Sequence, residues 1–216
     1  MAKQQIKNNP KVLGLDVSTK TIGISLFDES GKLILLTHVT PKVKNVDKLS
    51  DIEVLIKKAQ VFEEEFLEKY ADDDIEKVII EEPLLGSNNV YTMATLIRFN
   101  GMISRSVYET LNVVPEFISS YDSRKYAFPE LMEKRSVNKK GIAYTEKDIE
   151  KSKPVLFGAY PFDIDKKMVI WEKVSELEPQ IVWFYDKNHK LKKENFDMTD
   201  AYSCVRGAMR KQGLWV

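Results

Sequence analysis

Residues 12–27 read VLGLDVSTKTIGISLF, two β-branched, apolar runs joined by a polar turn, with a single carboxylate, Asp16, among apolar neighbours. The pattern predicts two antiparallel strands. Ser18, Thr19 and Thr21 supply turn chemistry, so the first strand delivers Asp16 to its own end. Ionising a carboxylate in a central strand costs several kcal/mol of desolvation unless a cation or hydrogen-bond donors compensate it. Asp16 therefore needs a partner. The plainer alternative is a turn-forming aspartate whose side chain bonds the backbone of the STKT loop.

Outward from this stretch, Glu29-Ser30-Gly31 is a hairpin turn with Gly31 available for positive φ, and residues 32–39 form a third strand, which completes a meander. Leu49, Ile52, Leu55, Ile56, Ala59, Phe62, Phe66 and Leu67 recur at helical spacing to about residue 70. A short buried strand over 77–80 ends in Glu81-Glu82-Pro83. Side chains alternate across a sheet, so Glu81 and Glu82 point to opposite faces, and only one of them can share a face with Asp16. Pro83 stops the ladder. A helix over 89–111 and a strand over 113–119 follow, giving the order β-β-β-α-β-α-β.

Beyond residue 119 the pattern loosens. Helical pieces are expected at 123–134 and 161–177, and a hairpin over 181–194 with Asn188-His189 near its tip. The chain closes with a helix over 195–213, NFDMTDAYSCVRGAMRKQG, whose small residues Ala201, Cys204, Gly207 and Ala208 share a face with Asp200. That face lets the helix lie close to a sheet. Asp197 and Asp200, three residues apart, are neighbours in its first turn, where Asp197 alone would also suit an N-cap.

Composition sets the outer limits. With 216 residues, 43% hydrophobic and 31% charged, the chain suits a single α/β domain spanning 1–216. The one cysteine, Cys204, excludes an internal disulfide, and no apolar run approaches the roughly 20 residues needed to cross a bilayer. A cytoplasmic protein without a membrane partner is expected. Formal net charge is +0, so any nucleic-acid footprint must come from local clustering. Arg124, Lys125, Lys139 and Lys140, then Lys190, Lys192 and Lys193, are the phosphate-contact candidates, with Lys134, Arg135 and Lys187 beside them. The acidic run from Glu63 to Asp74 would repel a polyanion.

Three separate segments thus present acid at a strand end or helix start: Asp16, Glu81 or Glu82, and Asp197 with Asp200. Converging carboxylates repel, and protonation or hard divalent cations relieve the strain. Mg²⁺ is the expected occupant. Two such ions roughly 3.5 to 4 Å apart can activate a water and stabilise a leaving oxygen in phosphodiester hydrolysis.

Taken together, GLDVSTKTIGISLFDESG, VIIEEP and FDMTDAYSC resemble the three acidic motifs of the RuvC-like branch of the RNase H superfamily, which includes Holliday junction resolvases and the RuvC domains of RNA-guided CRISPR nucleases. The resemblance covers residues 12–119 and 194–213. It implies an α/β, RNase H-like fold: a mixed five-stranded sheet, made of a three-strand antiparallel meander plus two parallel strands, flanked by helices, with a specificity insertion at about 120–195. It also implies a Mg²⁺-dependent endodeoxyribonuclease of the crossover junction resolvase type, a homodimer that makes paired nicks in four-way DNA. Asp16, Glu81, Asp197 and Asp200 would be its catalytic residues and hold two Mg²⁺ ions, with Mn²⁺ able to substitute. The helix over 89–111, widened by Met102 and Tyr108, would be the dimer face.

Departures and rivals bear on the substrate. Pro83-Leu84-Leu85 stands where bacterial resolvases often carry an aromatic residue, and other branched DNA or structured RNA are alternative substrates. The opening stretch also resembles the phosphate-binding hairpin of actin-like ATPases, but those need two such domains and a later Gly-rich loop. A silent RNase H-like binding module would have no need of all four acids.

Overall fold

In the computed structural model, which describes residues 10–83 and 89–215, the opening stretch divides its side chains strictly by parity. Strands β1 (Val12–Val17) and β2 (Ile22–Phe27) pair antiparallel, with Gly14 opposite Ser25 and Asp16 opposite Gly23. Leu13, Leu15, Val17, Ile22, Ile24 and Leu26 enter one core, and Val12 and Phe27 enter the other. A sheet covered on both faces accounts for a run so uniformly apolar. The turn between them is tied by Ser18, whose Oγ donates to the Thr21 carbonyl at 2.8 Å and accepts from the Thr21 amide at 3.1 Å. Ser18, rather than Asp16, is therefore the turn-forming side chain.

β3 (Leu33–Val39) pairs antiparallel with β2 beyond the Gly31 turn, where φ is +80°. β4 (Lys77–Glu81) pairs parallel with β1, and β5 (Glu116–Ile118) parallel with β4, giving the sheet order β3-β2-β1-β4-β5. This is the mixed five-stranded sheet expected. Helix α1 (Asp51–Glu65) opens on a capping box between Ser50 and Glu53 and yields to a 3₁₀ turn at Leu67–Tyr70. Helix α2 (Val90–Leu111) ends at Asn112, held at φ 56°. Leu55 and Phe62 of α1 pack with Phe99 and Ile103 of α2 against the first face. Leu84 and Leu85 lie outside the described residues.

After β5 the structure departs from the expected outline. The helix expected over 123–134 is α3 (Ser120–Ala127) alone, because Pro129 disfavours a helical Phe128, and a 3₁₀ turn and strand β6 (Met132–Glu133) follow. β6 pairs antiparallel with β7 (Val155–Leu156) across the short helix α4 (Glu146–Lys151). α5 (Lys166–Leu177) starts later than expected, since Asp165 caps it by accepting from the Lys167 and Met168 amides. The hairpin over 181–194 reduces to one bridge, Tyr185 with Leu191, closed by a turn in which His189 takes φ 57°.

Helix α6 (Glu194–Lys211) runs across the second face of the sheet. Its small residues account for only part of the approach, because Gly207 faces α3, where an added Cβ would collide with the Ser123 backbone. The sheet itself supplies the room. A Cβ on Gly14 would meet Val205 and the Ala201 carbonyl, and one on Gly23 would overlap the Asp197 carbonyl. Ser25, between them, donates to the Ala201 carbonyl at 2.9 Å. Among the described residues no helix is long and apolar enough to cross a membrane.

Gly23→Ala must push α6 off β2, and a loss of about 2 kcal/mol or more is expected from overpacking against rigid backbone. Gly101, in α2 with nothing within 4 Å of an added Cβ, is the control: Gly101→Ala should stabilise by roughly 0.5–1 kcal/mol. Denaturant melts of the two variants check the pair, and equal effects would mean that α6 does not sit tightly on β2.

Candidate active site

Asp16 is the last residue but one of β1, and Glu81 closes the neighbouring parallel strand β4. The last paired residues are Leu15 and Ile80, so Asp16 and Glu81 stand side by side one step further along. Residues level in adjacent strands point to the same face. That face is the one covered by α6, and Glu82 follows the last residue of β4. Strand register thus puts Glu81 level with Asp16.

The first turns of α6 cross the sheet at Gly23, the partner of Asp16, and bring Asp197 and Asp200 over the same strand ends. Asp197 lies inside the helix, which starts at Glu194 after Lys193, so it is no N-cap. All four acids line one cleft of about 410 Å³, together with Ser18, Glu82, Leu96 and Ser120 and the cations Arg124, Lys166 and Lys167.

Burial and mutual repulsion dominate the electrostatics. Desolvation, then the charges of Glu81, Asp200 and Asp197, holds the Asp16 carboxyl well above the usual carboxylate range. Glu81 is pushed up to about 7 by burial and by Asp200, against the opposing pull of Arg124 and Lys167. Burial raises Asp197 to about 6, with Lys167 again opposing. Beneath the cluster the buried Cys204 thiol donates to Glu81 Oε2 at 3.8 Å, and its own pKa is raised by burial and by the acids above it.

Two cations compensate in part. Arg124 Nη2 lies 3.4 Å from Asp200 Oδ1, and Lys167 Nζ lies 3.8 Å from both Asp197 Oδ1 and Asp200 Oδ2. Arg124, expected among the phosphate contacts, is thus inside the acidic cluster. Lys125, Lys139, Lys140, Lys190, Lys192 and Lys193 do not line the cleft. Lys166 and Lys167 were not among the expected site residues. A signal for them exists in the sequence: two lysines directly after a capping aspartate oppose the helix dipole, so local helix stability does not account for them.

The donor set suits a hard divalent cation, being entirely carboxylate oxygen with a surplus of negative charge. Among the described residues, however, no three His, Cys, Asp or Glu side chains close around one metal-sized point. Asp197 and Asp200 are turned instead to Lys167 and Arg124.

No protein-family profile and no curated protein matches the sequence. Solved structures do. RuvC of Thermus thermophilus in complex with a Holliday junction substrate aligns over 95% of this chain and 98% of its own, with a TM-score of 0.52 at 10% identity. This chain has the RuvC fold. A second Thermus thermophilus RuvC structure aligns over 94% and 96% with a TM-score of 0.49 at 13% identity. The yeast mitochondrial Holliday junction resolvase Ydc2 aligns over 98% and 82% with a TM-score of 0.48 at 14% identity. The mixed sheet flanked by helices is the RNase H-like arrangement that RuvC shares.

The raised acids have a consequence for stability with the sign opposite to that of ordinary salt-bridged carboxylates. A carboxyl whose folded pKa exceeds its unfolded value binds more protons when folded, so its stabilisation is complete below about pH 4 and is lost as pH rises through about 6 to 7. In a chelator, the folded protein should melt at a higher temperature at pH 5 than at pH 8, and Asp16→Asn should narrow the difference. A melting temperature independent of pH over that range, in both proteins, would mean that the carboxylates do not feel one another.

Proposed function

We propose that this protein is a metal-dependent endonuclease that hydrolyses phosphodiester bonds in branched DNA, with a four-way junction as its substrate. One observation carries the reading: acids from β1, β4 and α6 meet in a single cleft on a RuvC fold, where burial and mutual repulsion leave them short of positive charge. Asp16, Glu81, Asp197 and Asp200 would hold Mg²⁺, or Mn²⁺ in its place. Bound there, such ions supply an activated water and charge stabilisation at the leaving oxygen. The chain does the rest. Asp16 and Glu81 are fixed by the sheet and so hold their positions, whereas Asp197 and Asp200 must leave Lys167 and Arg124 for the site to form. Once released, those two cations face the cleft and can hold the scissile phosphate.

The whole chain would act as one nuclease domain, in which residues 120–195 carry the cations and the substrate specificity. Lys125, Lys139, Lys140, Lys190, Lys192 and Lys193, outside the cleft, would contact flanking backbone phosphates. Two symmetric cuts need two sites, and a two-fold homodimer meets a two-fold junction. Tyr108 and Ile97 of α2, 52% and 46% exposed, with the similarly exposed Ile52 and Ile56 of α1, are the apolar residues that would pair, whereas Met102, expected beside Tyr108, packs against the first core.

A Mg²⁺-supplemented cleavage panel of linear, flap, three-way and four-way DNA, with structured RNA alongside, tests the reading. Asp16→Asn and Glu81→Gln should stay folded and lose about 10³-fold in rate, the scale of several kcal/mol of transition-state stabilisation. Glu82→Gln should keep most activity. Full cleavage by folded Asp16→Asn removes the mechanism, while equal cutting of flaps, RNA and junctions removes the junction specificity alone.

Sedimentation at micromolar concentration should give a dimer, and Tyr108→Glu should shift it to monomer. A wild-type monomer that still makes paired nicks would exclude the α1 and α2 face as the interface.

A further inference from the structure

A second pocket, of about 170 Å³, adjoins the acidic cleft and shares Arg124 and Lys166 with it. Ser120 lies at the border of the two, and the remaining walls are Tyr121, Met132, Val155 and Leu156, contributed by α3 and the two-stranded β6–β7 sheet. The pocket is therefore apolar at its back and cationic where it meets the cleft. The cationic side is incompletely matched. Arg124 reaches Asp200 through Nη2, but its Nε is buried with no hydrogen-bond partner. Lys166 is partly buried, and desolvation, then the charges of Arg124 and Arg135, lowers its pKa.

Size and chemistry narrow the occupant. A cavity of roughly 150 Å³ with apolar walls accepts a single six-membered ring. A flat ring on Tyr121 and Met132, joined to an anion at Arg124 and Lys166, describes a nucleotide. Lys153, 5.8 Å from the Tyr121 ring centroid, adds positive charge on the strand's path. Resting on the nuclease reading above, we infer that this pocket receives the unpaired base next to the scissile phosphate, with Arg124 and Lys166 holding the phosphate between that base and the acidic cleft. The pocket would then set where the strand is cut as well as how tightly it is held.

The test combines an abasic scan with pocket filling. Four-way junctions carrying one abasic nucleotide at successive positions around the cut are assayed for cleavage in Mg²⁺ and, with Asp16→Asn, for binding in chelator. Removing the base at one flanking position should cost about ten-fold or more, the scale of one base–aromatic contact. Met132→Trp and Val155→Phe, each checked for an intact thermal transition, should bring the unmodified junction down to the abasic level and abolish the further loss at that position. An unchanged ratio of unmodified to abasic junction in both filled variants overturns the proposal. So does a flat abasic scan with normal cleavage, which leaves the nuclease reading standing. If the wild-type protein cleaves no nucleic acid at all, both readings fall.

Discussion

A helix can lay its acidic side chains over the end of a strand only if the strand lets the helix backbone come close. In this fold the permission comes from the sheet. Gly14 and Gly23 leave no Cβ where Val205 and the Asp197 and Ala201 carbonyls pass, and Ser25 turns the remaining gap into a hydrogen bond. Glycine inside a strand weakens it, through lost packing and greater backbone entropy to be lost on folding. The weakening is tolerated because the same strands bury Leu13, Leu15, Ile22, Ile24 and Leu26 on their other face. One face therefore secures the sheet, and the other is free to be shaped around α6.

The close approach creates the electrostatic problem that marks the site. Asp16 and Glu81 are placed by strand register and cannot separate without breaking the ladder, while Asp197 and Asp200 are placed by a helix that cannot back away. Repulsion is thus stored by packing, and after burial, the larger cause, it contributes to the raised pKa values of Asp16, Glu81 and Asp197. Lys167 and Arg124 relieve it incompletely. Their distances of 3.4 to 3.8 Å exceed the roughly 2.7–2.9 Å of a fully formed charge-assisted hydrogen bond. A cluster of this kind retains an appetite for positive charge, which is what the proposed function needs of it.

The meander, the two parallel strands and the acid at each strand end were legible in the sequence because each rests on a local rule: parity in a strand, helical spacing, turn residues. The placement of Glu81 level with Asp16 was legible for the same reason, since register decides it. What lay hidden was set by contacts distant in sequence. Arg124 reads as one of many basic residues until α3 is packed on α6, and Lys167, marked in the sequence only by its unfavourable place in the first turn of α5, meets its acids when α5 is brought against Asp197 and Asp200. The role of Gly14 and Gly23 was hidden because the small residues of α6 point to the helix as the source of the room, whereas the sheet makes it. After residue 119 the elements are short and held by turns and single bridges, so periodicity had little to act on.

The placement of those late cations follows from α6 itself. Arg206 and Arg210 both donate to the Ala127 carbonyl, at 3.1 and 3.0 Å, and Lys211 pairs with Asp122 at 2.7 Å, so both ends of α3 are pinned to the outer half of α6. Gly207 admits the Ser123 backbone between these anchors. Arg124, next to Ser123, is consequently positioned by the same helix that carries Asp200. On the proposed reading, α6 is then the common reference for both halves of the site: its inner face fixes two acids against the strand ends, and its outer half fixes the cation that answers them. Between those few anchors the chain of residues 128–193 meets the site only through α5, which brings Lys166 and Lys167 to the cleft.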